Sequence, residues 1–176
     1  MKYPEEFVAF LVHFHATRDY FECHEILEEY WKETDPKNRQ SPWVGLILLA
    51  VSCYHHRREN FSGAERTLLK SIQILSLEST QVHLNCLGLD SIRLNEMVLK
   101  QLEVIQHEEP YNSMKLPISD DLLDACKIYS TQNGFEWFSQ ENSPIENTII
   151  HRHHTRDRSD VIQERLRQKK IKGRNI

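Results

Sequence analysis

Ser41-Pro42-Trp43-Val44-Gly45-Leu46-Ile47-Leu48-Leu49-Ala50-Val51-Ser52-Cys53-Tyr54 is the stretch whose reading decides the fold. Ser followed by Pro is a start signal: an N-cap, then a residue whose fixed φ and missing N–H suit the first helical turn. The run from Trp43 to Tyr54 is apolar on every side, and at about a dozen residues it is too short to cross a bilayer. A helix without a polar face is buried by its neighbours, so this is the central element of an all-α core. Its last turn, His55-His56-Arg57-Arg58, puts basic groups where the helix dipole is negative.

Working outward, Ser62 and Glu65 read as a capping box for a following helix with Ala64, Leu68, Leu69, Ile72 and Leu75 inward. Only Glu59-Asn60-Phe61 separates the two, which predicts an antiparallel hairpin. Upstream, Pro4 reads as a first helical residue, with Glu5 and Glu6 at the positive end of the dipole and Phe7, Phe10, Leu11 and Phe14 on one stripe. Asp19 and Glu22 cap a helix from Tyr20 to about Glu33, and Thr34 to Gln40 is a loop. Downstream, residues 79–89 read as an extended connector through Gly88. Asp90 caps a helix to about Glu108, and Tyr111 to Ile118 is an irregular crossing. Ser119 or Asp120 caps a helix ending at Asn133-Gly134, and Ser159 caps a last one, Asp160 to about Lys170. The expected architecture is a compact bundle of antiparallel helix pairs with a C-terminal helical extension. Its parts are a core over 1–108, a crossing plus helix over 109–150, and a basic helical tail over 151–176.

Composition narrows the function classes. Five Gly and six Pro are few for an all-β or nucleotide-binding α/β fold. No Gly-rich phosphate loop, Ser-centred elbow or catalytic Cys context is present. The N-terminus carries no signal-peptide pattern, and Cys23, Cys53, Cys86 and Cys126 form no C-x-x-C pair, so a reduced, cytoplasmic setting is expected. Charge is asymmetric. Residues 151–176 hold nine Lys/Arg and three Asp/Glu, a net of +6, whereas residues 1–150 hold 13 basic and 23 acidic side chains, a net of −10. Such a tail docks on the acidic body, is solvated, or meets a partner.

The chemistry concentrates in Phe21-Glu22-Cys23-His24-Glu25-Ile26-Leu27-Glu28-Glu29-Tyr30-Trp31. At about 100° per residue, Tyr20, His24, Leu27 and Trp31 fall within about 60° of one another and predict the buried stripe. Glu28, four residues from His24, is its expected partner; Glu25 lies between the faces, and Glu22, Glu29 and Glu33 face solvent. Three readings stand open. His24 is a buried, hydrogen-bonded plug that pins one packing arrangement. Alternatively, His24 and Glu28 form a general base or ligand anchor. Finally, they hold a divalent metal with His55 or His56. No H-E-x-x-H and no Glu-x-x-His pair occurs in the chain.

Phe14, Arg18, Asp19 and Phe21, then His24-Glu25-x-Leu27-Glu28-x-x-Trp31, resemble the defining motif of a bacterial and archaeal family, domain of unknown function family 309. A second stretch, Gly45-Leu46-Ile47-x-x-Ala50 continuing to Tyr54-His55-x-x-Arg58-x-Asn60 and Gly63-Ala64, is similar to its second signature. The resemblance covers roughly residues 5–75 and implies a small helical fold with no established activity. The family often has Gln where this chain has Val44 and Leu48, a departure that weakens an enzyme reading. The leading expectation is a non-enzymatic binding or interaction module. Its polar seam or small pocket draws on His24, Glu28, Trp31, Tyr54, His55 and Arg58. No cofactor or membrane association is expected, and its partner is an unidentified protein or a second copy. The alternatives are a metal-dependent or general-base hydrolase using His24 and Glu28, and nucleic-acid association through residues 151–176.

Overall fold

The computed structural model describes residues 2–137. Its order is α1 (Glu5–Val12), a π-helical turn (His13–Thr17), α2 (Tyr20–Thr34), α3 (Pro42–Arg57), α4 (Phe61–Leu75), α5 (Glu78–Cys86), α6 (Ser91–Gln106) and α7 (Asp120–Gln132). The fold is all-α, as the periodicity predicts, and no helix among the described residues is long and apolar enough to cross a membrane. The expected helix over 160–170 and the rest of the basic tail lie outside the described residues.

α3 is the hub. Leu46, Leu49 and Ala50 have no exposed surface. Trp43 at its start packs on Tyr30 near the end of α2, while Arg57 at its end lies over the Tyr20 ring at the start of α2. Those contacts make α2 and α3 run in opposite directions. On the other side Ser71 Oγ donates to the Gly45 carbonyl (2.7 Å) and Ser52 Oγ donates to the Ala64 carbonyl (2.8 Å), so α4 also runs back along α3. The missing side chain of Gly45 permits this approach: a Cβ there would sit 2.9 Å from Leu75 Cδ2. Residues after 108 join the same core, through Met114, Leu116, Leu122 and Cys126. α7 begins beside α1, where Lys2 pairs with Asp121.

Several local expectations change. Pro4 is the N-cap of α1 and not its first residue. α1 passes into the π-helical turn, which ends at Arg18 with φ 53°, a left-handed residue that re-aims the chain into α2. The cap of α4 is Asn60, whose Oδ1 accepts from the Gly63 N–H (3.1 Å), in place of the Ser62/Glu65 box. Residues 78–86 are helical where an extended connector was expected. α5 has no side-chain cap and buries only Thr80 and Leu84, so it carries little periodic signal. Its stability comes from docking, as for most short helices.

A half-open groove at His24

α2 is launched by Asp19, whose Oδ1 accepts from the Glu22 N–H at 3.0 Å. Its buried stripe is Tyr20, Cys23 and Leu27, all fully covered. The stripe is centred toward Cys23 and not on the expected His24 and Trp31, which leaves His24, Glu28 and Trp31 on its flank. His24 keeps 29% of its side chain exposed. It is therefore not an enclosed plug.

The flank opens into a groove of about 480 Å³. α2 supplies His24, Glu28 and Trp31, and the floor is Val44, Ile47 and Leu48 of α3 with Ile74 of α4. Lys70 and Gln73 of α4 stand on one rim, and Arg39 and Gln40 of the α2–α3 loop on another. The loop is held in place from below: the Trp31 indole N–H donates to the Asn38 carbonyl (3.0 Å), and the Gln40 backbone N–H donates to Asn38 Oδ1 (3.0 Å). The Val and Leu at positions 44 and 48 thus belong to the groove floor and make it apolar there.

Both ring nitrogens of His24 face carboxylates. Nδ1–H donates to Glu25 Oε1 at 3.0 Å, and Nε2 lies 3.5 Å from Glu28 Oε2. Glu28 Oε1 also pairs with Lys32 at 3.1 Å. Glu25 is thus the nearer partner, although neighbours in a helix point about 100° apart. One ligand atom from each of His24, Glu25 and Glu28 lies within 4.8 Å of the others, close enough for a metal ion to bridge.

Tyr54, His55 and Arg58 are elsewhere. They occupy the far end of α3, about 15 Å along the axis from Val44 at 1.5 Å per residue. There Arg58 Nη1–H donates to the Tyr54 hydroxyl (2.8 Å), with its guanidinium over that ring, and Asn60 Nδ2–H donates to His55 Nδ1 (3.0 Å). Burial, then the charges of Arg58 and Arg66, lower the His55 pKa. The six pocket candidates therefore form two clusters, and the ligand-spaced trio takes Glu25 in place of His55.

Sequence reasoning missed an enclosed polar centre under the end of α3. His56 Nε2–H donates to the Glu109 carbonyl (2.8 Å), and Nδ1 accepts from the Gln101 amide (2.8 Å). Beside it the hydroxyls of Tyr20 and Tyr111 hydrogen-bond to each other. Arg57 lies over the Tyr20 ring and donates to the Arg18 carbonyl (2.6 Å). Burial raises both phenol pKa values. The centre ties α2, α3, α6 and the crossing together. Tyr111 follows Pro110 in a segment without periodicity, so nothing in the sequence marked it as a partner.

A family model described as a domain of unknown function, DUF309, matches residues 7–67. An uncharacterized protein of Bacillus subtilis (strain 168), YpuF, is 48% identical over 167 residues, 94% of this chain and 94% of that protein. The chain belongs to the DUF309 family. The DUF309 match spans α1 through the first half of α4 and so includes His24, Trp31, the loop and the α3 floor. Lys70, Gln73 and Ile74, which close the groove, lie beyond that DUF309 match. No solved structure matches this DUF309 chain.

Proposed function

We propose that the protein is a binding module whose His24 groove takes a small zwitterionic molecule with an apolar body. The observation that carries this reading is the disposition of charge around an apolar floor. Glu28 stands beside His24 on one wall, and Lys70 and Arg39 stand on the rims. Neither Lys70 nor Arg39 is in an ion pair with another of the described residues. Pockets of this kind use apolar walls for affinity and a few polar groups for orientation. An ammonium group would meet the Glu28 carboxylate, a carboxylate would meet Lys70 and Arg39, and the body would lie on Val44, Ile47, Leu48 and the Trp31 ring.

Calorimetric titration with L-leucine at millimolar concentration tests this. Binding that weakens about tenfold or more, roughly 1.4 kcal/mol, for the amine-free or carboxylate-free analogue is the expected result. The Lys70→Ala and Glu28→Gln variants should each lose it. No heat with leucine, or equal affinity for all three probes, rejects the reading.

A divalent cation is the second reading, favoured by the clustered donor atoms of His24, Glu25 and Glu28. The two ring nitrogens point apart, so an ion on Nε2 would take Glu28 as its second ligand, with Glu25 orienting the ring through Nδ1. The Lys32 ion pair on Glu28 competes with such an ion. A rise in melting temperature with zinc or manganese that Glu28→Gln abolishes would support it; no rise rejects it. Metal-dependent hydrolase chemistry at this centre depends on that outcome.

A further inference from the structure

A second groove, about 430 Å³, lies between α1 and α7, on elements distinct from those that form the His24 groove. Its floor is Val8, Ala125 and Ile128, and Ile128 is 60% exposed. Glu5, Asp121 and Asp124 line it. The Tyr129 phenol at its edge has its pKa raised by burial and then by the carboxylates of Glu5, Glu22 and Glu6, a mark of the negative field there. The ion pairs Lys2–Asp121 and Lys127–Asp124 are solvent-exposed. Exposed pairs contribute little and exchange readily for another cation.

We propose that the basic C-terminal segment of this chain, residues 151–176, seats in the α1–α7 groove. Its net charge of +6 complements the carboxylates. Within it, Ile162 and Leu166 are four residues apart, as are Arg165 and Lys169, so one helical face can present an apolar pair and the adjacent face a basic pair. A helix with this much charge is marginal alone and gains stability only by docking. The path permits it. Beyond Asn133 the chain turns toward the π-helical turn that follows α1, where Phe135 packs on His13 and Trp137 on His15. From there the 13 residues 138–150 can span up to about 43 Å, against about 20 Å for the length of α7.

Hydrogen–deuterium exchange of the full chain, read by mass spectrometry at low salt, tests the proposal. Slow exchange across residues 160–170 is expected. High salt and the Ile128→Glu variant should each restore fast exchange there while leaving α2–α4 unchanged. Random-coil exchange in the wild type overturns the proposal, as does protection that survives Ile128→Glu. Protection that appears only as concentration rises, with a dimeric mass by light scattering, overturns it in favour of a second copy. Protection that appears only on adding duplex DNA overturns it in favour of nucleic acid.

Discussion

At His24 an imidazole meets a carboxylate at each nitrogen, with the ring partly open to solvent. Ion pairs this exposed contribute about 0–1 kcal/mol, so His24→Ala should shift unfolding free energy by less than about 1 kcal/mol while removing leucine binding. His56 has the opposite setting. It is buried, and His56→Ala strands the Glu109 carbonyl and the Gln101 amide. Both bonds are only part-buried, so urea unfolding should register a loss of about 1–3 kcal/mol, more than for His24→Ala. His15 provides the pH dependence. Burial first, and the Lys115 charge second, lower its pKa from 6.5 to about 4. Above pH 6.5 neither the folded nor the unfolded state binds this proton, and the stabilisation is complete. Between pH 6.5 and 4 the unfolded chain takes up the proton and the folded protein does not, so stability falls with pH, by about 3 kcal/mol in all. Urea titrations at pH 7 and pH 4.5 should show a larger drop for wild type than for His15→Leu; equal drops would sink the assignment.

Among the elements, α3 and α4 depend on two small features. Gly45 lets the helices meet, and Gly45→Val forces Leu75 and Ile74 aside, an overpacking cost of about 1–3 kcal/mol. Asn60→Ala removes the α4 cap and should cost about 1 kcal/mol, whereas Ser62→Ala should cost less, since Ser62 is not the cap. Thermal melts of the two variants rank them. The same comparison indicates what was legible. α2, α6 and α7 have caps at Asp19, Asp90 and Ser119 and α3 opens on Pro42, and the starts of these helices match the structure. α5 was read as a connector because two buried residues make no stripe, and the π-helical turn leaves no compositional mark. The buried stripe of α2 is rotated by a fraction of a turn from the one its spacing predicts. That was enough to exchange Cys23 for His24 in the buried stripe, because a helical position on the edge of a stripe is decided by the neighbouring helix and not by its own sequence.

Across the whole molecule, the crossing between α6 and α7 adds a tie between the early and late helices. Gly88 and Ser119 meet through the Ser119 N–H donating to the Gly88 carbonyl (2.7 Å), and Gly88 adopts φ +79°. A Cβ there would also lie 2.5 Å from Ser119 Oγ. Gly88→Ala should therefore loosen α7 from the bundle, seen as faster amide exchange in α7 than in α3. No periodicity predicts this junction, because it pairs a turn with an irregular segment some thirty residues later. The Trp31 clamp on the loop has an optical consequence. Of the three tryptophans, Trp43 is buried and Trp137 stacks near His15, which leaves Trp31 as the indole on the groove wall. Its emission is a built-in gauge: an occupant that displaces water from the ring should shift the fluorescence to the blue without any label, and a Trp31→Phe variant should be silent to it.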